Sequence, residues 1–428
     1  MDSEKNFFFS ESIFPKQSFI SGIYFFCVPL QSMITSNKRK IINDPVYGFI
    51  NIPSEDIFDL IQTPVMQRLR RIRQLGLSNM VYPGAEHTRF AHSLGAMHLM
   101  YQALDVLKQK GIDISREEES AALVAILLHD TGHAPFSHCL EHFFFSCSHE
   151  ELTKHFMSEC GVAQTAIDVF SGCYGRAFLH QLVSSQVDTD RLDYLTRDSF
   201  FTGVSEGVIG TDRILKMFNV KDDELVIDQK GIYSIEKFII SRRLMYWQVY
   251  MHKTVVAADN LLSKVLLRAK DLQQEGRLDY ESYPLSSHLY YFLDKGQRDL
   301  SDREALEHFR LLDDSDIWSA VKVWSGHGDG ILRRLSSSLM NRTLGHVTIQ
   351  DNPFTDEQIE SVCSYGDEVS RKYFTATDEL HNKAYNFNDT RINILFKNGE
   401  IKEICDASDQ LDSSFLSKEI KKYFFYQI

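Results

Sequence analysis

The chain is 428 residues long, 43% hydrophobic and 25% charged, with a formal net charge of −13. That is chain enough for two to three domains at about 150 residues each, and the balance excludes a collagen-like, low-complexity or disulfide-scaffold protein. The acidic excess repels nucleic-acid phosphates and anionic membranes in bulk, so a polyanionic ligand has to be held by a local basic cluster or a metal ion.

Taken in chain order, residues 1–32 read as an N-terminal extension of open role. Phe19 to Leu30, after Lys5 and Lys16, looks like the apolar part of a signal peptide but lacks a small-x-small cleavage site. It is a dispensable, a capping or a targeting segment. No apolar run reaches the about 20 residues that a membrane span takes. Residues 33–278 read as a helical core and 279–428 as a smaller, mixed α/β C-terminal lobe, so the fold class is mainly α. Asn43-Asp44-Pro45 and Asn51-Ile52-Pro53 are turn signals. Ser54 is an N-cap, with Glu55 and Asp56 in the first turn, where negative charge complements the helix dipole. Ile57, Leu60, Ile61 and Val65 follow at helical spacing, and Pro64 kinks or breaks that run. Ser115-Arg116-Glu117-Glu118 is a capping box opening a helix that is apolar on nearly every face from Ala121 to Leu128, hence buried. Two hairpins are predicted: Glu224–Ile227 with Ile232–Ile235 around Gln229-Lys230-Gly231, and Ile392–Phe396 with Glu400–Ile404 around Asn398-Gly399.

The buried helix ends in His129-Asp130, and ionisable groups there are costly unless they bind something. His92, His129, Asp130 and Asp190 form a set of two imidazoles and two carboxylates, which suits Mn, Mg, Fe or Zn without thiolates and leaves coordination positions open. Arg89 lies three residues before His92, so both share a helix face. His133 and His138 follow His129 around Gly132 and Pro135. Asp190, Tyr194 and Asp198 fall on one helical face. The seven cysteines are odd in number, with no CxxC pair. They argue against structural zinc or disulfides and for a reducing, cytoplasmic setting.

Lys40 to Pro45, Gln67 to Gly76, Tyr82 to Ala85, His87 to Gly95, His129 to His138, Asp188 to Asp198 and Tyr250 to Lys253 stand in an order and spacing that resemble the HD-domain phosphohydrolases. The likeness is specifically to the deoxynucleoside triphosphate triphosphohydrolases, the group of the vertebrate SAM- and HD-domain enzyme and bacterial dGTPase-like relatives. It covers roughly residues 38–270 and lacks the SAM domain. It implies a helical HD core, a divalent metal on His92, His129, Asp130 and Asp190, and a homo-oligomer. It implies that His133, His138 and His149, with Glu141 at a family Asp position, surround the α-phosphate. It places Arg89 on the phosphates, and Arg191 where the family has a Lys. Gln74 and Leu75 meet the deoxyribose, Tyr194, Asp198 and Tyr250 close the sugar pocket, and Arg242 reaches the nucleotide. Tyr246 replaces a family His near the base. Lys40, Asn43, Gln67 and Arg70 match an activating-nucleotide site between subunits, although Gln62 stands where the vertebrate enzyme has an Asp.

The implied reaction is hydrolysis of a dNTP to deoxynucleoside and inorganic triphosphate, with His138 or His133 as general acid. The rivals are another HD nucleotide phosphohydrolase, such as a phosphomonoesterase, and a non-catalytic nucleotide sensor. A nuclease is disfavoured by the charge. Arg68, Arg70, Arg71 and Arg73 read equally as a solvated helix face. His98 and His252 read as structural.

Overall fold

The computed structural model describes residues 40–428 apart from 384, 386–389 and 412–418; the segment 1–32 lies outside the described residues. The chain enters through a hairpin of β1 (Ile41–Asp44) and β2 (Gly48–Asn51). Its turn is shaped by Asp44, whose Oδ1 accepts from the amides of Val46 and Tyr47 at 2.9 and 3.0 Å. Ser54 caps α1 (Glu55–Gln62) by accepting from Ile57 N. The helix then breaks at Thr63, and α2 (Pro64–Arg68) starts with Pro64 in its first turn, where the missing amide costs nothing.

Three helices frame the core. The first, α3 (Arg89–Gln109), is buried along one side after another, including Leu94, Met97, Met100, Leu104 and Leu107. The second, α4 (Arg116–Leu128), opens on the predicted Ser115–Glu118 capping box, and every residue from Ala121 to Leu128 is buried. Each large aliphatic side chain there contributes about 1.5–3 kcal/mol, which offsets the cost of drawing His129 and Asp130 inward. Then α5 (Glu141–Phe144), α6 (His149–Glu159), α7 (Gln164–Ser171) and α8 (Ala177–Val183) lead to the third framing helix, α9 (Thr189–Thr202). Asp188 caps α9 by accepting from Arg191 N at 2.6 Å.

After α10 (Thr211–Met217), β3 (Phe218–Lys221) pairs with β4 (Glu224–Asp228). This corrects one predicted hairpin. The strand at Glu224 is present, but its turn is Asp222-Asp223, both at positive φ (55° and 59°), which Asp tolerates. Ile232–Ile235 instead begins α11 (Ile232–Met245), which runs into a π turn at Tyr246–Tyr250 and then α12 (Lys253–Gln274). The C-terminal part adds α13 (Ser287–Lys295), α14 (Arg303–Leu311), α15 (Asp314–Trp324) and α16 (Gly330–Met340). It continues with β5 (His346–Gln350), α17 (Asp356–Val362), α18 (Glu368–Phe374) and β6 (Thr375–Lys383). It closes with β7 (Asn393–Leu395), β8 (Ile401–Glu403) and β9 (Glu419–Gln427). The second predicted hairpin is present as β7 and β8, paired Leu395 to Ile401, with Gly399 at φ 85°.

Strand β9 lies between β5 and β6, antiparallel to both, while β7 pairs in parallel with β4. The late chain therefore returns to the core, where Ile392, Ile394 and Ile404 join the cluster around α3 and α4. A second cluster joins α12 to the C-terminal helices. The arginine run is not a solvated face at its start, because Arg68 is 1% exposed. The six described cysteines are free thiols, and no described helix is long and apolar enough to cross a membrane.

Gly95 lets α3 come close against Asp193 and Arg197 of α9. A Cβ there would sit 2.0 Å from Asp193 Oδ1 and 2.3 Å from Arg197 Nη2. Gly95→Ala is expected to cost about 1–3 kcal/mol by overpacking, read as a lowered denaturation midpoint; an unchanged midpoint contradicts this contact.

Candidate active site

Side chains from three separate stretches of the chain, His92, the adjacent His129-Asp130 and Asp190, meet where α3, α4 and α9 converge. His92 Nε2 lies 3.2 Å from His129 Nε2 and 3.0 Å from Asp190 Oδ1. His129 Nε2 lies 3.3 Å from Asp130 Oδ1 and 3.4 Å from Asp190 Oδ1. The other ring nitrogens are already engaged: His129 Nδ1 donates to Ile126 O at 2.6 Å, and His92 Nδ1 pairs with Asp193 Oδ2 at 2.7 Å. Both Nε2 lone pairs then point into one space beside two carboxylates. That donor set fits a divalent cation, and Asp193 is the outer carboxylate that orients a ligating imidazole. His92, His129 and Asp130 qualify by mutual distance as a metal-holding group.

Electrostatics agree. Burial works against charging Asp130, but Arg89, His129 and His133 hold its carboxyl well below the usual range. Asp190 is lowered likewise, against its burial, by His129 and His92. Burial also opposes protonating His92, yet Asp190 and Asp193 push it up to about 10.

Arg89 and His92 do share a face of α3. Arg89 Nη1 donates to Asp130 Oδ2 at 2.6 Å, and its Nε to Ser137 Oγ at 2.8 Å. The histidine cluster sits beside it. His133 Nε2 is 3.2 Å from Asp130 Oδ1, and its ring stacks on His149 at 4.0 Å. Glu141 binds His138 Nδ1 at 3.0 Å and His149 Nδ1 at 2.5 Å, which turns both Nε2 atoms outward. Those two bonds lower the Glu141 carboxyl. Burial, with Arg89 alongside, holds His133 well below the usual imidazole range, so it is neutral. His138 is by contrast exposed, at 72% of its side-chain surface.

These groups line one cavity of about 600 Å³. Gln74, Leu75, Arg89, Arg191, Tyr194, Asp198, Tyr246 and Tyr250 are on its wall with His129, Asp130, His133, His138, His149 and Asp190. His92 lies behind the metal position and Glu141 behind the histidines. Arg242 is off the described wall: it is buried, its Nη1 donating to Gln186 Oε1 at 3.2 Å. Arg191 is braced by Ser185 O and Asp188. Tyr250 donates to Asp198 Oδ2 at 2.8 Å, and Tyr246 and Tyr250 come from the π turn, a distortion that often marks functional sites. Of the second predicted set, Gln67 accepts from Arg70 Nε at 2.9 Å, Lys40 Nζ stands over the Phe58 ring, and Asn43 lies on β1.

Sequence reasoning missed His87, whose Nε2 pairs with Asp198 Oδ1 at 2.7 Å while its ring stacks on Phe201. It also gave no role to Asp193, or to the far wall formed by Glu150, Lys154, Phe170, Ser171, His180, Val183 and Ser184. Asp193 lay one helical turn before Arg197, an ion-pair spacing that offered a signal.

Residues 89–168 match the HD domain family, and residues 209–282 the HD associated region. The uncharacterized protein YwfO of Bacillus subtilis is 33% identical over 88% of this chain and 89% of its own. The chain belongs to the HD-domain phosphohydrolases. A phosphohydrolase from Bacteroides thetaiotaomicron superposes with a TM-score of 0.86 at 46% identity, over 91% of this chain and all of that one (100%). Human deoxynucleoside triphosphate triphosphohydrolase SAMHD1 is 28% identical over 55% of this chain and 45% of its own, so the chain spans about half the length of that relative.

Because Asp193 orients His92 from outside the donor set while also pairing with buried Arg197, Asp193→Asn is expected to weaken metal affinity about 10–100-fold without removing a ligand. Metal titration of the purified variant checks this; wild-type affinity would refute the orienting role.

Proposed function

We propose that the protein hydrolyses deoxynucleoside triphosphates to a deoxynucleoside and inorganic triphosphate. One observation carries the reading. His129, Asp130 and Asp190, with His92 packed against them, line the same cavity as Arg89, Arg191 and the tyrosines Tyr194, Tyr246 and Tyr250. The human relative's described activity supports the substrate class.

In this reading Gln74, Leu75, Tyr194, Asp198 and Tyr250 hold the deoxyribose. His87 and Tyr250 fix both oxygens of Asp198, so that wall is rigid where a 2′-hydroxyl would need room. Arg89 and Arg191 use their remaining N–H groups on phosphate oxygens, where charge builds as the α-phosphorus is attacked. His92, His129, Asp130 and Asp190 would hold a divalent ion, which when bound would supply a Lewis acid able to bring the pKa of a water towards neutral. His138 is the better general acid of the two predicted. Its Nδ1 is held by Glu141 and its Nε2 is free to give a proton to the departing 5′-oxygen, a role worth about 10²–10⁴-fold. His133 is neutral and already bound to Asp130. The protein works as a cytoplasmic homo-oligomer, and Lys40, Asn43, Gln67 and Arg70 receive an activating nucleotide.

Incubating the protein with each dNTP and Mg²⁺ or Mn²⁺ tests the reading. Release of inorganic triphosphate is expected, and Asp130→Ala is expected to abolish metal binding and turnover together. Monophosphate or free phosphate would instead indicate another HD phosphohydrolase, and no product a sensor.

A further inference from the structure

Asp314 opens α15 in the C-terminal part, 178 positions from Phe136, and is 4% exposed. Its Oδ1 accepts from Phe136 N at 2.8 Å, and its Oδ2 from Arg73 N at 3.0 Å. Burial pushes its carboxyl up to about 6 against those two amides, so it is ionised at neutral pH with both oxygens accepting.

What it grips is strained. Phe136 and Ser137 both have φ of 55°, a left-handed conformation rare for side chains other than Gly, Asn and Asp. Such a turn persists only where its surroundings impose it. Here α15 does so twice, with the Asp314 carboxylate on the amide and, one turn later, Trp318 packed edge-on against the Phe136 ring at 5.8 Å. The turn aims two groups at the active site. Ser137 Oγ donates to Arg73 O at 3.2 Å and accepts from Arg89 Nε, and Arg89 reaches Asp130. His138 follows directly. Leu312, two residues before Asp314, adds a second brace, accepting from buried Arg68, whose Nη1 donates to His133 O at 2.9 Å.

We propose that Asp314 is a positioning residue for the hydrolytic reaction: it clamps the Phe136–Ser137 turn to the main chain at Arg73 and, through Ser137, sets the Arg89 guanidinium and the approach of His138. Asp314 is not among the residues that line the cavity, so it acts through the turn. The proposal rests on the hydrolase reading, and its test separates the two.

Asp314→Asn keeps the shape but faces one backbone N–H with an NH₂ group, donor against donor. Ser137→Ala leaves the Asp314 contacts in place and removes the hydroxyl links to Arg89 and to Arg73 O. Both are assayed for dNTP hydrolysis and bound metal, and Asp314→Asn and wild type for amide hydrogen exchange over residues 131–140. For Asp314→Asn, kcat is expected to fall about ten- to a hundredfold, as misplacement by a fraction of an ångström to an ångström would cause. KM is expected to stay within about threefold, metal content to be unchanged, and exchange over 131–140 to quicken. Ser137→Ala is expected to lose kcat similarly, and it carries the test if Asp314→Asn does not fold. Wild-type kcat in either folded variant overturns the proposal. If wild type releases no product from any dNTP, the functional reading fails, and the exchange data then decide: unchanged exchange in Asp314→Asn overturns the clamp.

Discussion

Arg197 has no exposure to solvent, and its charge is met entirely by protein. It binds Asp193 through Nε and Nη2, both at 3.0 Å, and Asp44 through Nη1 at 2.8 Å. Desolvating such a group costs several kcal/mol, and removing one partner leaves an unpaired buried charge. The pairing therefore admits one arrangement of three segments: the β1–β2 turn, α3 at Gly95 and α9. Asp193 passes the constraint on by taking His92 Nδ1, which fixes the imidazole and points Nε2 at the metal position. The ion pair is better understood as a device for placement than as a source of stability.

The same logic recurs in the loop of residues 131–138. Residues 131–138 carry little regular structure and include two left-handed residues. Their backbone is tied by Arg68 at His133 O, by Thr153 Oγ1 at Gly132 N, and by Asp314 at Phe136 N. Gly132 is required there, because a Cβ would stand 2.1 Å from His149 O. Each tie comes from a different element, so the loop is held by long-range contacts rather than by its own propensity. A loop placed this way can present His133, His138 and Arg89-bound Ser137 with little freedom, which is what proton transfer at a fixed atom needs.

How far the sequence spoke for this site follows from the range of each interaction. The helix carrying His129 was legible because its capping box and eight-residue apolar run are local signals. Arg89 with His92, and Asp190 with Tyr194 and Asp198, were legible because helical spacing puts them on shared faces. The family likeness joined those pieces. Asp314, Arg68 and His87 stayed hidden because their partners lie 178, 65 and 111 positions away. The misplaced hairpin has a different cause. A glycine at Gly231 looked like the turn, whereas two aspartates adopting positive φ made the real one, and the glycine is needed for close packing against Met217 and Ile227.

Charge also bears on how so acidic a chain would hold the polyanion proposed for it. The inner cluster holds Asp130 and Asp190 within reach of two imidazoles, and His92 is pushed up to about 10. Two carboxylates this close to two buried imidazoles make a place where positive charge is stabilised. A divalent ion held by His92, His129, Asp130 and Asp190 would satisfy the two carboxylates, with both histidines as neutral ligands. Arg89 leans on Asp130, so neutralising that carboxylate frees its guanidinium to act on phosphate. Arg191 is paired with Asp188 and feels Asp190 nearby. On the proposed function, the site would become cationic once its inner carboxylates were occupied, coupling ion binding to polyphosphate binding without help from the net charge of the surface.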